Sequence, residues 1–175
     1  VADKAVQVLA EIKGFCRADI DLNDNSPGWK FAQYEMKGVP LRLELGPKDI
    51  EQNQCVLVRR DTGEKVTAPL DGLEKAIGEL LRDIHDTLYR RALKNCEDHT
   101  YTAHTFEEVL AIAGDESKSG FINTMWCEDP ACEAKMKEEA GLTSRCMPLE
   151  QEHLDDRCVC CGRPAKSMIV WGKAY

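Results

Sequence analysis

Apolar residues recur at helical spacing over the start of the chain (Val1, Ala5, Val8, Leu9, Ile12), and Gly14 follows as a stop. Residues 16–22 then alternate. Cys16, Ala18, Ile20 and Leu22 fall on one side and Arg17, Asp19 and Asp21 on the other, which predicts a half-buried strand. Ser26 and Pro27 open a short helix that Gly38 closes. Alternation returns in VPLRLELG, with Val39, Leu41, Leu43 and Leu45 inward and Arg42 and Glu44 outward. PKD turns the chain, and CVLVRR and KVTAP flank DTGE as a hairpin. Leu73, Ile77, Leu80, Leu81, Ile84 and Leu88 mark a long amphipathic helix to about Lys94.

A second unit follows a boundary near residues 95–104. Thr105 and Glu108 form a capping box for FEEVLAIA, GFINTMW reads as a strand, and Asp129 and Pro130 start a helix that Gly141 ends. TSRCMP and SMIVWG are short strands. The expected fold class is α/β: a mixed sheet flanked by helices over residues 1–98, then a small α+β unit over 99–175. A strand ahead of the first helix would complete the first layer, and the chain opens as if within a helix.

Composition changes this picture little. The 175 residues suffice for a core domain plus a smaller unit. No apolar run reaches membrane-spanning length, and no signal segment is visible. The net charge of −8 argues against a non-specific nucleic-acid binder but leaves room for a local basic site.

The nine cysteines carry more information. With no sign of secretion, reduced thiols and metal ligation are favoured over disulfides. Cys127 and Cys132 sit at a strand-to-helix junction, and Cys158 and Cys161 form a C-x-x-C followed by Gly162. Two close pairs supply four thiolates for tetrahedral zinc, with no position left for a reacting water, so the site would be structural. Cys160 rivals Cys161, because C-x-C also ligates; the glycine behind Cys161 favours Cys161. A redox use of the C-x-x-C would need a βαβ context that this tail lacks. Cys16, Cys55, Cys96 and Cys146 read as buried small apolar residues. His85, His99, His104 and His153 have no partner at ligand spacing and read as surface or capping residues.

Glu35, Arg42, Lys48 and Asp49 cluster around the strand VPLRLELG and its end. Arg42 and Lys48 can donate to guanine O6 and N7 or to phosphate, and Glu35 and Asp49 can accept from guanine N1 and N2 hydrogens. The competing reading is a solvated charged strand edge.

The stretch SPGWKFAQYEMKGVPLRLELGPKDIEQNQCVLVRRDTGEKV resembles the anticodon-binding domain of prolyl-tRNA synthetases of the eukaryotic/archaeal type, a class IIa domain. MWC…DPAC, TSRCMP, CVCCGRPAK and VWGKAY resemble that form's zinc-containing C-terminal domain. The resemblance covers essentially the whole chain. It implies a tRNA-recognising portion of an enzyme that joins proline to its tRNA through a prolyl-adenylate, using ATP and Mg2+ bound in a catalytic domain. That enzyme is cytoplasmic and usually a homodimer, with no membrane partner. The last two anticodon bases are guanines, and Glu35, Arg42, Lys48 and Asp49 match the base-reading positions; Lys65 is a weaker, phosphate-directed candidate. Cys127, Cys132, Cys158 and Cys161 match the zinc ligands, although some relatives carry C-x-C where this chain has C-V-C-C. Tyr175 matches a terminal residue that folds back toward the catalytic domain. The ATP-binding motifs of class II synthetases are not in the chain, so alone it is not expected to aminoacylate. A free-standing tRNA-binding module and a zinc-stabilised protein-interaction domain are the alternatives.

Overall fold

The structure, a computed structural model, describes residues 1–173. The expected role of Tyr175 lies outside the described residues. The chain divides into two compact units, residues 1–91 and residues 92 onward.

The first unit runs α1 (Ala2–Ile12), α2 (Pro27–Met36), β1 (Leu41–Glu44), α3 (Pro47–Glu51), β2 (Gln54–Arg59), β3 (Lys65–Pro69) and α4 (Leu73–Asp98), the end of α4 belonging to the second unit. Strands β1, β2 and β3 form an antiparallel sheet in that order. The inward residues of the sheet and of α1 and α4 make the core: Val8, Ile12, Cys55, Leu57, Ala68, Leu70, Leu73 and Ile77 are buried together. Leu41, Leu43 and Leu45 pack against this cluster, as their alternation predicts, whereas Val39 precedes β1 and is 38% exposed. Ser26 caps α2 by accepting from the Trp29 amide.

Residues 16–22 do not form the expected strand. Cys16 and Ala18 do pack against the core, but the alternation inverts at its end, where Leu22 is 60% exposed and the Asp21 side chain only 9%. Among the described residues no neighbouring strand lies alongside to build a ladder. The backbone is instead served locally, with the Ile20 amide bonded to Asp19 and the Asn23 amide to Asp21. PKD, expected as a turn, starts the short helix α3, because the Asp49 carboxylate accepts from the Gly46 amide at 2.8 Å and caps it.

Arg59, at the end of β2, is one of the few buried charges, with 6% of its surface exposed. Its guanidinium makes two bonds to Asp61, at 3.0 and 2.8 Å, and reaches Asp83 on α4. The hydrogen bond from Arg59 holds the Asp61 carboxyl below the usual aspartate range. A group with a depressed folded-state pKa contributes stability above its unfolded pKa, near 4 for aspartate, and that contribution is lost on acidification below it. Asp61→Asn should therefore lower the urea midpoint of the first unit at pH 7, and the gap to wild type should narrow by pH 3. A gap unchanged over this range would assign the loss to packing rather than to the ion pair.

The second unit contains β4 (Thr100–Thr102), α5 (Phe106–Gly114), a 3-10 turn (Glu116–Lys118), β5 (Phe121–Trp126), α6 (Pro130–Ala140), β6 (Leu142–Cys146) and β7 (Ser167–Lys173). Its mixed sheet has the order β4-β5-β7-β6, with β4 and β5 parallel and the other pairs antiparallel. The capping box of α5 forms as Thr105 and Glu108 predict, and Gly141 ends α6 in the left-handed conformation at φ 67°. The core joins Val109, Ile122, Met136, Leu142, Ile169 and Trp171. The Trp171 indole is fully buried, and its N–H is satisfied by Thr124 Oγ1 at 2.9 Å. Strand β4 is too short for alternation to announce it, so the parallel β4-α5-β5 unit, a βαβ context the tail was expected to lack, went unforeseen; Cys158 and Cys161 lie outside that unit, between β6 and β7.

Of the cysteines read as buried, Cys55 is buried and Cys16 half-buried, but Cys96 and Cys146 are exposed. Cys96 sits in the exposed final turns of α4. Cys146 ends β6, whose last three residues face solvent. No helix among the described residues is long and apolar enough to cross a membrane.

Candidate functional site

Two clusters of chemistry-bearing side chains stand out, one in each unit. The first is built on β1. The strand register sets Arg42 opposite Val58 and Val58 opposite Lys65, so Arg42 and Lys65 share one face of the sheet. Helix α2 supplies Phe31 and Glu35, four residues apart and so neighbours along the helix surface. The Arg42 guanidinium lies 3.9 Å from the centre of the Phe31 ring. Its Nη1 donates to Glu35 Oε1 at 2.7 Å and its Nε to Glu44 Oε1 at 3.0 Å. Lys65 Nζ stands 3.7 Å from the other Glu44 oxygen.

Three of the five sequence candidates, Glu35, Arg42 and Lys65, thus belong to one network, with Arg42 as its hub and Glu44 linking it to Lys65. The other two lie on α3. Lys48 is exposed and enters no ion pair among the described residues. Asp49 uses Oδ2 to cap α3. Phe31 and Glu44 were not among the sequence candidates. Glu44 was legible as the alternate outward residue of β1, and Phe31 from its four-residue spacing to Glu35.

Arg42 holds a defined pose. Its guanidinium carbon lies over an aromatic ring and two of its five N–H groups are engaged, which leaves both Nη2 hydrogens and one on Nη1 for an external acceptor. A planar fork of this kind matches the O6 and N7 atoms of guanine, and also phosphate.

The second cluster lies around the end of β5 and the start of α6. Cys127 follows β5, Cys132 lies in the first turn of α6, and Cys158 and Cys161 come from the 158–163 turn. The four sulfurs lie within 4.8 Å of one another. Separations of 3.7 Å (Cys127–Cys132), 3.6 Å (Cys127–Cys161) and 3.9 Å (Cys132–Cys158) match the edge of about 3.8 Å for a tetrahedron of thiolates 2.3 Å from zinc. The donor set and the distances fit a four-coordinate zinc. Cys160 stands outside the cluster, with its thiol directed to the Cys132 carbonyl at 3.5 Å.

Backbone bonds hold the turn in place. The Gly162 amide reaches Cys158 O and the Cys158 amide reaches Arg163 O, at 2.9 and 2.8 Å. Gly162 adopts φ +70°, a conformation that suits glycine. Val159 and Lys166 donate to Met125 and Trp126 carbonyls and dock the turn on β5. Cys127, Cys132 and Cys158 are buried, and burial pushes the Cys127 and Cys132 thiols up. Cys161 is exposed, and the hydrogen bond from Arg163 brings its thiol down to about 6. Arg163 and Asp129 were not among the sequence candidates. His104 and His153 pair with Asp155 and Asp156 at exposed positions and stand apart from the cysteine cluster.

Residues 1–80 match the family described as anticodon binding domain, and residues 110–175 match the family described as prolyl-tRNA synthetase, C-terminal. Over all 175 residues the chain is 55% identical to the proline–tRNA ligase of Clostridium novyi (strain NT). It is 54% identical to proline–tRNA ligase 2 of Bacillus cereus (strain ATCC 14579) and 53% identical to that of Bacillus thuringiensis subsp. konkukian (strain 97-27). The chain spans 36% of the length of each of these relatives. With both units matched in order and the full chain aligned at this identity, the chain belongs to the prolyl-tRNA synthetase family, in the region that carries its anticodon-binding and C-terminal domains.

Proposed function

We propose that this chain is the anticodon-recognising portion of a proline–tRNA ligase that attaches proline to tRNA(Pro) through prolyl-adenylate. ATP, Mg2+ and proline would be handled outside these residues, in a cytoplasmic and homodimeric enzyme of translation. Residues 1–98 would read the anticodon, and residues 99–175 would form a unit stabilised by structural Zn2+. The observation that carries the reading is the Arg42 fork, set over Phe31 and held by Glu35 and Glu44 within a stretch that matches an anticodon binding domain.

In this reading Arg42 donates to guanine O6 and N7, and Glu35 accepts from the Watson–Crick edge of a splayed-out base. Lys48 donates to guanine or to phosphate, and Lys65 neutralises phosphate. Asp49 keeps one carboxylate oxygen available while the other caps α3. Cys127, Cys132, Cys158 and Cys161 hold the zinc, which organises the second unit and takes no part in reaction chemistry.

The test is binding of the chain to a proline anticodon stem-loop beside one whose two anticodon guanines are replaced by adenines. Tighter binding of the guanine form is the expected result. Equal binding of both would reduce the site to phosphate attraction and remove the base-reading assignment.

A further inference from the structure

The cysteine cluster has one open side. Cys127, Cys132 and Cys158 are buried while Cys161 is exposed. Arg163 lies across that side. Its Nε donates to Cys161 Sγ at 3.3 Å, its Nη2 lies 3.9 Å from Cys127 Sγ, and Nη2 also pairs with Asp129 Oδ2. Asp129 in turn caps α6, accepting from the Ala131 amide through Oδ1 at 2.9 Å. One guanidinium therefore touches both halves of the cluster: the 158–163 turn, and the segment that carries Cys127 and opens the helix bearing Cys132.

Four thiolates around a divalent zinc leave two net negative charges. N–H groups directed at the sulfurs offset that charge and fix the ligands' orientation, and loss of such outer partners typically weakens a metal site by about 10–100-fold. Guanidinium suits the task better than ammonium, since its fixed fork engages a sulfur and a carboxylate at once.

We propose that Arg163 is a positioning residue for the metal, closing the exposed Cys161 edge and setting how firmly the zinc is held. The proposal rests on the reading of the four cysteines as zinc ligands. A side chain that is 59% exposed adds little by packing, so its effect should appear in metal retention.

The experiment measures zinc content and the rate at which a chromophoric chelator withdraws zinc, for the wild-type chain and for Arg163→Ala, Arg163→Lys and Asp129→Asn. The cobalt-substituted forms are compared by their thiolate-to-cobalt absorption. Wild type should hold one zinc. Arg163→Ala should release it about 10–100-fold faster with an altered cobalt–thiolate band, and Arg163→Lys should fall between them. Asp129→Asn, which retains the N–H to Cys161 and an N-cap, should release zinc more slowly than Arg163→Ala. Wild-type release from Arg163→Ala would overturn the proposal, and so would equal acceleration by Asp129→Asn, which would assign the effect to the ion pair rather than to the sulfur contacts. A wild-type chain that binds no zinc would overturn the metal reading itself. Should Arg163→Ala fail to fold with zinc, the lysine variant carries the test, and release at the wild-type rate with an unchanged cobalt band would overturn the proposal.

Discussion

Cys158→Ser is expected to strip the metal and unfold most of the second unit while the first unit keeps its amide protection. Structural zinc sites couple binding to folding with apparent free energies of about 10–16 kcal/mol, comparable to the whole stability of a small domain. The path by which the loss would spread can be traced residue by residue. Cys158 anchors the turn that docks on β5 through the Val159 and Lys166 amides. Strands β5 and β7 are the two inner strands of the sheet, so loosening the end of β5 exposes the ladder that holds the unit together. The buried Trp171–Thr124 pair bridges the same two strands. The first unit has its own core, built from α1, α4 and the β1–β3 sheet. Hydrogen exchange should therefore show protection lost across residues 121–173 and retained in β1, β2 and β3. Cys160→Ser serves as the control. Its thiol makes one weak contact to the Cys132 carbonyl and lies outside the cluster, so that variant should keep its zinc and its protection. Equal loss in both units after Cys158→Ser, or zinc loss from Cys160→Ser, would contradict this account.

The two clusters were legible in the sequence to different degrees, for physical reasons. Candidate metal ligands announce themselves by type and spacing, and the structure gathers the four cysteines that spacing favoured. The guanidinium beside them was invisible, because an arginine after a C-x-x-C-G turn carries no distance signal until the chain folds. Alternation located β1 and its outward Arg42 and Glu44, since a strand with one buried face must place every second residue outside. The same alternation misled at residues 16–22. Period-two burial requires only an extended segment lying on a core, whereas a strand also needs a neighbour's backbone to pair with. The exposed Cys146 and Cys96 show the limit of residue-type averages: cysteine is usually buried, yet the end of an edge strand and the last turns of a long helix are solvated whatever residue stands there.

Arg42→Ala is expected to weaken binding of a guanine-containing proline anticodon stem-loop by roughly 1–3 kcal/mol, about 5- to 150-fold. The size follows from how the side chain is held. Contact with the Phe31 ring and bonds to Glu35 and Glu44 fix the guanidinium before any base arrives, so little rotamer freedom remains to be lost on binding. The free Nη1–Nη2 end can then form a bidentate pair with guanine O6 and N7. Adenine offers an amino group in place of O6, so most of the loss should vanish on the stem-loop with two adenines. Removing the cation also leaves Glu35 without its ion-pair partner and Glu44 paired with Lys65, both facing incoming phosphate, which adds a smaller loss common to both RNAs. That common part is screened by salt, while the guanine-specific part is not. Arg42→Lys should restore the common part and only a fraction of the guanine-specific part, because an ammonium can donate to O6 or N7 but cannot present a planar fork. Glu44→Gln should fall between wild type and Arg42→Ala, since it loosens the guanidinium without removing it. Titrations of each variant with both stem-loops at two salt concentrations separate these effects. An Arg42→Ala loss of equal size on the guanine and adenine forms would make Arg42 a phosphate contact, and the base-reading role would have to move elsewhere on this face.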